Sequence, residues 1–99
     1  MSDRLSPQDQ TLLRVVGEVL HYVWDPIGVA GVPQARDEYD GYIGAVCSLL
    51  RSGAPESDMA AHLVRVADER MGIPGRDKES REAAALLVDW RDFLAESRA

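Results

Sequence analysis

The chain has 99 residues, 45% hydrophobic and 28% charged, with 11 Lys or Arg against 17 Asp or Glu and a formal charge of −6. That length holds one domain, 1–99, with an ordered core expected over 6–97, and the apolar content is too high for intrinsic disorder. A chain of pI about 4.7 is repelled by phosphate backbones and anionic membrane surfaces, so neither nucleic acid nor membrane is an expected partner, whereas a basic protein is compatible.

The first helix has a clear start signal: Ser6 can cap, Pro7 needs no N–H at the first helical position, and Asp9 lies in the first turn. Leu12, Val15, Val16, Val19, Leu20 and Val23 follow the three-four spacing of one helical face. Asp25-Pro26 ends it, because the residue before proline avoids the α region. The stretch from Trp24 to Arg36 is too long and too apolar for a plain turn, so it is expected to pack back on the domain.

The second helix is predicted from about Asp37-Glu38, with Tyr39, Tyr42, Ile43, Val46, Leu49 and Leu50 as its stripe. Gly53 suits the left-handed position after its end, and Pro55 prevents continuation. The third helix starts near Glu56-Ser57-Asp58, buries Met59, Leu63, Val66 and Ala67, and stops at Gly72-Ile73-Pro74. The fourth runs from about Asp77 to Ser97, with Ala83, Leu86, Leu87, Trp90, Phe93 and Leu94 on its buried side. No strand pair, repeat or low-complexity stretch is evident. The expected fold is all-α, a compact bundle of four helices with a long packed loop between the first two.

No apolar run approaches the roughly 20 residues of a membrane span. Charges at Asp3, Arg4, Asp9, Arg14 and Glu18 leave no room for the apolar core of a secretory leader, so a cytoplasmic location is expected. A single cysteine, Cys47, cannot form an internal disulfide, and no zinc-finger spacing exists. There is no phosphate-binding loop, dinucleotide fingerprint or nucleophile elbow. Cys47 and His62 carry no catalytic context and read as structural, as does His21, which flanks the first apolar stripe within reach of Asp25 or Tyr42. Neither an enzyme nor a cofactor is expected.

The unusual stretch is 24–42, which concentrates Trp, Pro, Gly, Tyr and the four acids Asp25, Asp37, Glu38 and Asp40. In one reading it is architectural: Asp25 accepts from backbone N–H groups after Pro26, Trp24 closes the core, and Asp37 or Glu38 caps the second helix. In the other, Trp24, Asp25, Asp37, Glu38, Tyr39, Asp40 and Tyr42 form a binding face, since aromatics at an acidic rim suit protein recognition. Oxygen ligands from Asp25, Glu38 and Asp40, with His21, would suit a small ligand or a hard cation, but no calcium-loop spacing is present and no metal is expected.

The Trp24-Asp25-Pro26-Ile27-Gly28-Val29 run, the Asp37-Glu38-Tyr39-Asp40-x-Tyr42 run and the later Met71-Gly72-Ile73 resemble a family of small bacterial all-helical proteins of unknown function. The resemblance spans about residues 12–95. It implies an all-α domain and, through relatives of the kind found beside toxin genes, an immunity-like role, but no catalytic residue. The sequence therefore points to a non-enzymatic acidic module that binds a protein. The alternatives are a small metal- or ligand-binding protein or enzyme built on the acidic cluster, and a homodimer using the fourth helix.

Overall fold

The computed structural model describes residues 6–25, 28 and 39–96. Helix α1 covers Pro7–Val19, α2 Asp40–Arg51, α3 Glu56–Arg65 and α4 Asp77–Glu96. The protein is an all-α bundle, with no strand among the described residues. The expected course of the loop between α1 and α2, and the proposed helical start at Asp37-Glu38, lie outside the described residues.

The α1 start forms as its residues dictate. Ser6 is extended, and its Oγ accepts from the Asp9 N–H at 3.1 Å, with Pro7 opening the helix. At its far end α1 widens into a π-helical turn, Leu20–Trp24, closed by the Asp25 N–H on the Leu20 carbonyl at 2.9 Å. A turn closed over five residues holds one more than an α turn. It retards the rotation of the side chains, so Trp24 points fully into the core while Val23 is only half-buried. The α-helical period, which places Val23 on the inward stripe, is corrected at this point. A second π turn, Val66–Arg70, extends α3.

The stops are chemical. Gly53, at φ 85°, closes α2 with its N–H on the Leu50 carbonyl, and the next N–H, of Ala54, returns to Leu49. These two bonds are the Schellman arrangement, which needs a left-handed residue at that place. Arg91 then reaches from α4 and donates from Nη1 to the carbonyls of Ala54 at 2.7 Å and Leu50 at 3.4 Å. A guanidinium at the negative end of α2 adds a charged donor to these carbonyls and ties the two helices together. Gly72, at φ 68°, similarly ends the α3 extension.

α4 lies along α3 and α1 and also meets the π turn of α1. Val16, Leu20, Trp24, Val46, Leu50, Met59, Leu63, Ala67, Ala83, Ala84 and Leu87 are the centre of the core. Gly17 faces α2, where a Cβ would meet Ile43 Cδ1 at 3.4 Å, an ordinary contact.

The inward side of α4 needs correction. Ser80, Ala83, Ala84 and Leu87 are buried. Leu86, Trp90 and Phe93, expected inside, are exposed by 41%, 38% and 58%. At 100° per residue, the buried set centres about a quarter-turn away from these three. The register is fixed from outside the helix, by the Trp24 Nε1–H donating to Ser80 Oγ at 3.1 Å and by the reach of Arg91 to α2.

Candidate functional site

Three features outside the core geometry carry chemistry: the polar junction at Asp25, a cavity beside His21, and the exposed side of α4. The junction comes first because it takes up most of the described residues of the 24–42 stretch. Asp25 sits in the left-handed region, φ 35° and ψ 56°, where Asp and Asn are the best tolerated residues after Gly. Its Oδ1 accepts from the Tyr39 hydroxyl at 2.8 Å and from the Gly28 N–H at 3.1 Å. Trp24 is buried and Tyr39 nearly so; their rings lie 5.5 Å apart, and Tyr42 meets Trp24 edge-on at 6.3 Å.

Trp24, Asp25 and Tyr39 are thus brought together, with half-buried Tyr42 beside them. Asp40, first residue of α2, is exposed and lines the cavity beside His21. Asp37 and Glu38 lie outside the described residues.

The cavity lies between α1 and the start of α2. It has a volume of about 370 Å³ and is lined by Leu13, Arg14, Gly17, Glu18, His21, Asp40 and Ile43. His21 is only 4% exposed, and its Nδ1 is enclosed with no hydrogen-bond partner among the described residues. The anticipated bonds to Asp25 or Tyr42 are not formed; the ring instead meets Tyr22 edge-on at 4.5 Å. Glu18 is the residue that the sequence reading misses. Its signal is the Glu18-x-x-His21 spacing, which puts two side chains of one helix on one face. No group of three His, Cys, Asp or Glu side chains among the described residues is placed to hold a metal ion.

The other two nucleophile or base candidates are tuned away from those roles. Burial pushes the Cys47 thiol up, and Asp9 adds to this while Arg51 works against it. A thiol held protonated is a poor nucleophile. Burial also pushes the His62 imidazole below the ordinary 6.5, helped by Arg65 and Arg70. The folded state therefore favours neutral His62. Stability from this group is complete above pH 6.5 and erodes as pH falls through it, where the unfolded chain takes up the proton first. His62→Gln is expected to flatten that part of the profile of urea midpoint against pH; a wild-type slope surviving the substitution would assign it to another group.

On α4, Leu86, Trp90 and Phe93 form an apolar stripe, with the two aromatic rings edge-to-face at 5.7 Å. With Asp89 they line a shallow cleft of about 250 Å³. Glu82, Asp89 and Glu96, all exposed, recur every seven residues and so form an acidic row along one edge of the stripe.

No protein family model matches the chain, and comparison with curated proteins and with solved structures finds no match to either. Among the described residues no helix is long and apolar enough to cross a membrane.

Proposed function

We propose that the protein is a non-enzymatic, acidic protein-binding module, and that its binding face is the outer side of α4. The observation that carries this reading is the exposure of Leu86, Trp90 and Phe93 side by side along an acidic row. Exposed Trp and Phe in edge-to-face contact are typical anchors of protein recognition, where a few large side chains supply most of the affinity. The acidic row selects the partner's charge. A basic amphipathic helix would lay its apolar side on the stripe and its Lys or Arg side chains on Glu82, Asp89 and Glu96.

The face differs from the 24–42 face that the sequence suggests. Trp24 and Tyr39 spend their surface on the core, and Asp25 Oδ1 accepts from Tyr39 and Gly28. The resemblance of the 24–29 and 37–42 blocks to small helical proteins, some of them immunity-like, supplies the finer reading: the basic partner is a toxin that this module neutralises.

The test is capture of basic proteins from lysate of the source organism by the immobilised domain, followed by titration of the retained partner. Trp90→Asp should weaken binding about 30-fold or more, the size of a hot-spot loss, without lowering the urea midpoint. Glu82→Lys should slow association, chiefly at low salt. A partner that binds Trp90→Asp as tightly as the wild type would rule out this face. Sedimentation gives the competing outcome: a dimer that Trp90→Asp dissociates would assign the stripe to a second copy.

A further inference from the structure

We propose that, given α4 as the binding face, its cleft takes one knob of a single partner helix, and that Glu82, Asp89 and Glu96 select helices with a basic residue at every seventh position along one flank. The cleft is lined by Leu86, Asp89, Trp90 and Phe93. These are residues i, i+3, i+4 and i+7 of one helix. Four side chains at that spacing form the diamond-shaped hole into which a coiled-coil neighbour inserts a knob. The volume of about 250 Å³ lies below the usual range of small-molecule sites, so one apolar side chain suits the cleft better than a free ligand.

Heptads counted from this hole place Leu86 and Phe93 at d, Trp90 at a, and all three acids at g. A g residue flanks the seam. It faces the partner's e residue in a parallel pair and the partner's g residue in an antiparallel pair. The opposite flank of α4 is spent on this chain's own bundle: of its e residues, Ser80 and Leu87 are buried and Leu94 packs against the core. The partner's charge is therefore read along one flank only. A second copy of α4 fails that reading in both orientations. Antiparallel, the acidic row would face itself. Parallel, it would face Ser80, Leu87 and Leu94, which carry no positive charge. A different helix with Lys or Arg in heptad register meets the row with complementary charge, and none of the three acids is in an ion pair among the described residues.

The probes are dye-labelled three-heptad peptides with Leu at a and d, held at nanomolar concentration while the full chain is titrated and anisotropy is read. One carries Lys at e and g, which serves either orientation. A second carries the same lysines at b and c, and a third carries Glu at e and g. The first is expected to saturate, and the other two to bind roughly tenfold more weakly or worse. Glu82→Lys, Asp89→Lys and Glu96→Lys, combined in one chain, should reverse the order of the e/g Lys and Glu peptides; all three side chains are exposed, and circular dichroism checks that the helices persist. Equal affinity for the two Lys peptides, lost in Trp90→Asp, would overturn the heptad selection and leave the α4 face standing. Binding that Trp90→Asp does not weaken would overturn both. An order that the triple substitution leaves unchanged would overturn the proposal. So would no saturation of the e/g Lys peptide up to about 1 mM, and the lysate capture would then decide the α4 face by itself.

Discussion

Trp24→Ala is expected to destabilise the protein by about 3–5 kcal/mol, the loss that follows deletion of a large aromatic from a packed core. Domains of this size have roughly 5–15 kcal/mol in total, so the variant should populate the unfolded state well before the wild type does. The expectation rests on position as well as size. Trp24 is fully buried, contacts the rings of Tyr39 and Tyr42, and donates to Ser80 on α4. It is therefore the point at which the end of α1, the start of α2 and the first turns of α4 are held together. Ser80→Ala isolates the hydrogen bond. It leaves the indole N–H buried without an acceptor and should cost about 1–3 kcal/mol. Trp24→Phe also removes the bond, so adding Ser80→Ala to it should cost much less than Ser80→Ala alone. Urea unfolding followed by circular dichroism measures all four proteins. A Trp24→Ala loss below about 1 kcal/mol would take Trp24 out of the core and return it to the candidate anchors of a binding face.

The helices were legible because their ends are written in residue types that permit few conformations. Ser6-Pro7, Gly53 with Pro55, and Gly72 each act within a few residues, so no knowledge of the rest of the chain is needed. The side that α4 turns inward was legible only in part: Ala83 and Leu87 are buried as expected and Leu94 is packed against the core, while Leu86, Trp90 and Phe93 face out. Residues 83–88 are six consecutive apolar residues, which give a helix no unique phase. The phase comes from contacts made by Ser80 and Arg91, two polar residues whose partners lie 56, 41 and 37 positions away. The π turn after Val19 was invisible. It is a backbone choice that seats Trp24 in the core, and no local residue type demands it.

The candidate sites divide in the same way. That Asp25 would accept from a backbone N–H just after Pro26 is a local turn property, and the Gly28 N–H does donate to it. Its second donor, the Tyr39 hydroxyl, comes from across the intervening segment and depends on where that segment returns. Glu18 and His21 share a helical face by spacing alone, but Asp40 joins their cavity only through the packing of α2 on α1. The exposed stripe is the reverse case: Leu86, Trp90 and Phe93 look like core residues until the helix phase is known.

Asp25→Ala is the second substitution with a large expected effect, about 2–4 kcal/mol, and its variants separate two causes. Alanine removes the acceptor for Tyr39 and Gly28 and also places a β-carbon without a compensating polar group in the left-handed region, which costs about 1–2 kcal/mol. Asp25→Gly relieves the backbone cost but not the lost acceptor, so it should be milder than alanine. Asp25→Asn keeps an accepting oxygen and a tolerated backbone, and should be the mildest of the three. Tyr39→Phe removes one donor and should cost about 1–3 kcal/mol, less than additively with Asp25→Ala, because the two groups share one bond. Thermal melts with a double-mutant cycle read these differences directly. The order Ala, Gly, Asn would make Asp25 a fastening of the 24–42 stretch, consistent with a binding face elsewhere, on α4. Three variants as stable as the wild type would mean that the carboxylate does not hold this junction, and would reopen Asp25 as a residue that serves a partner.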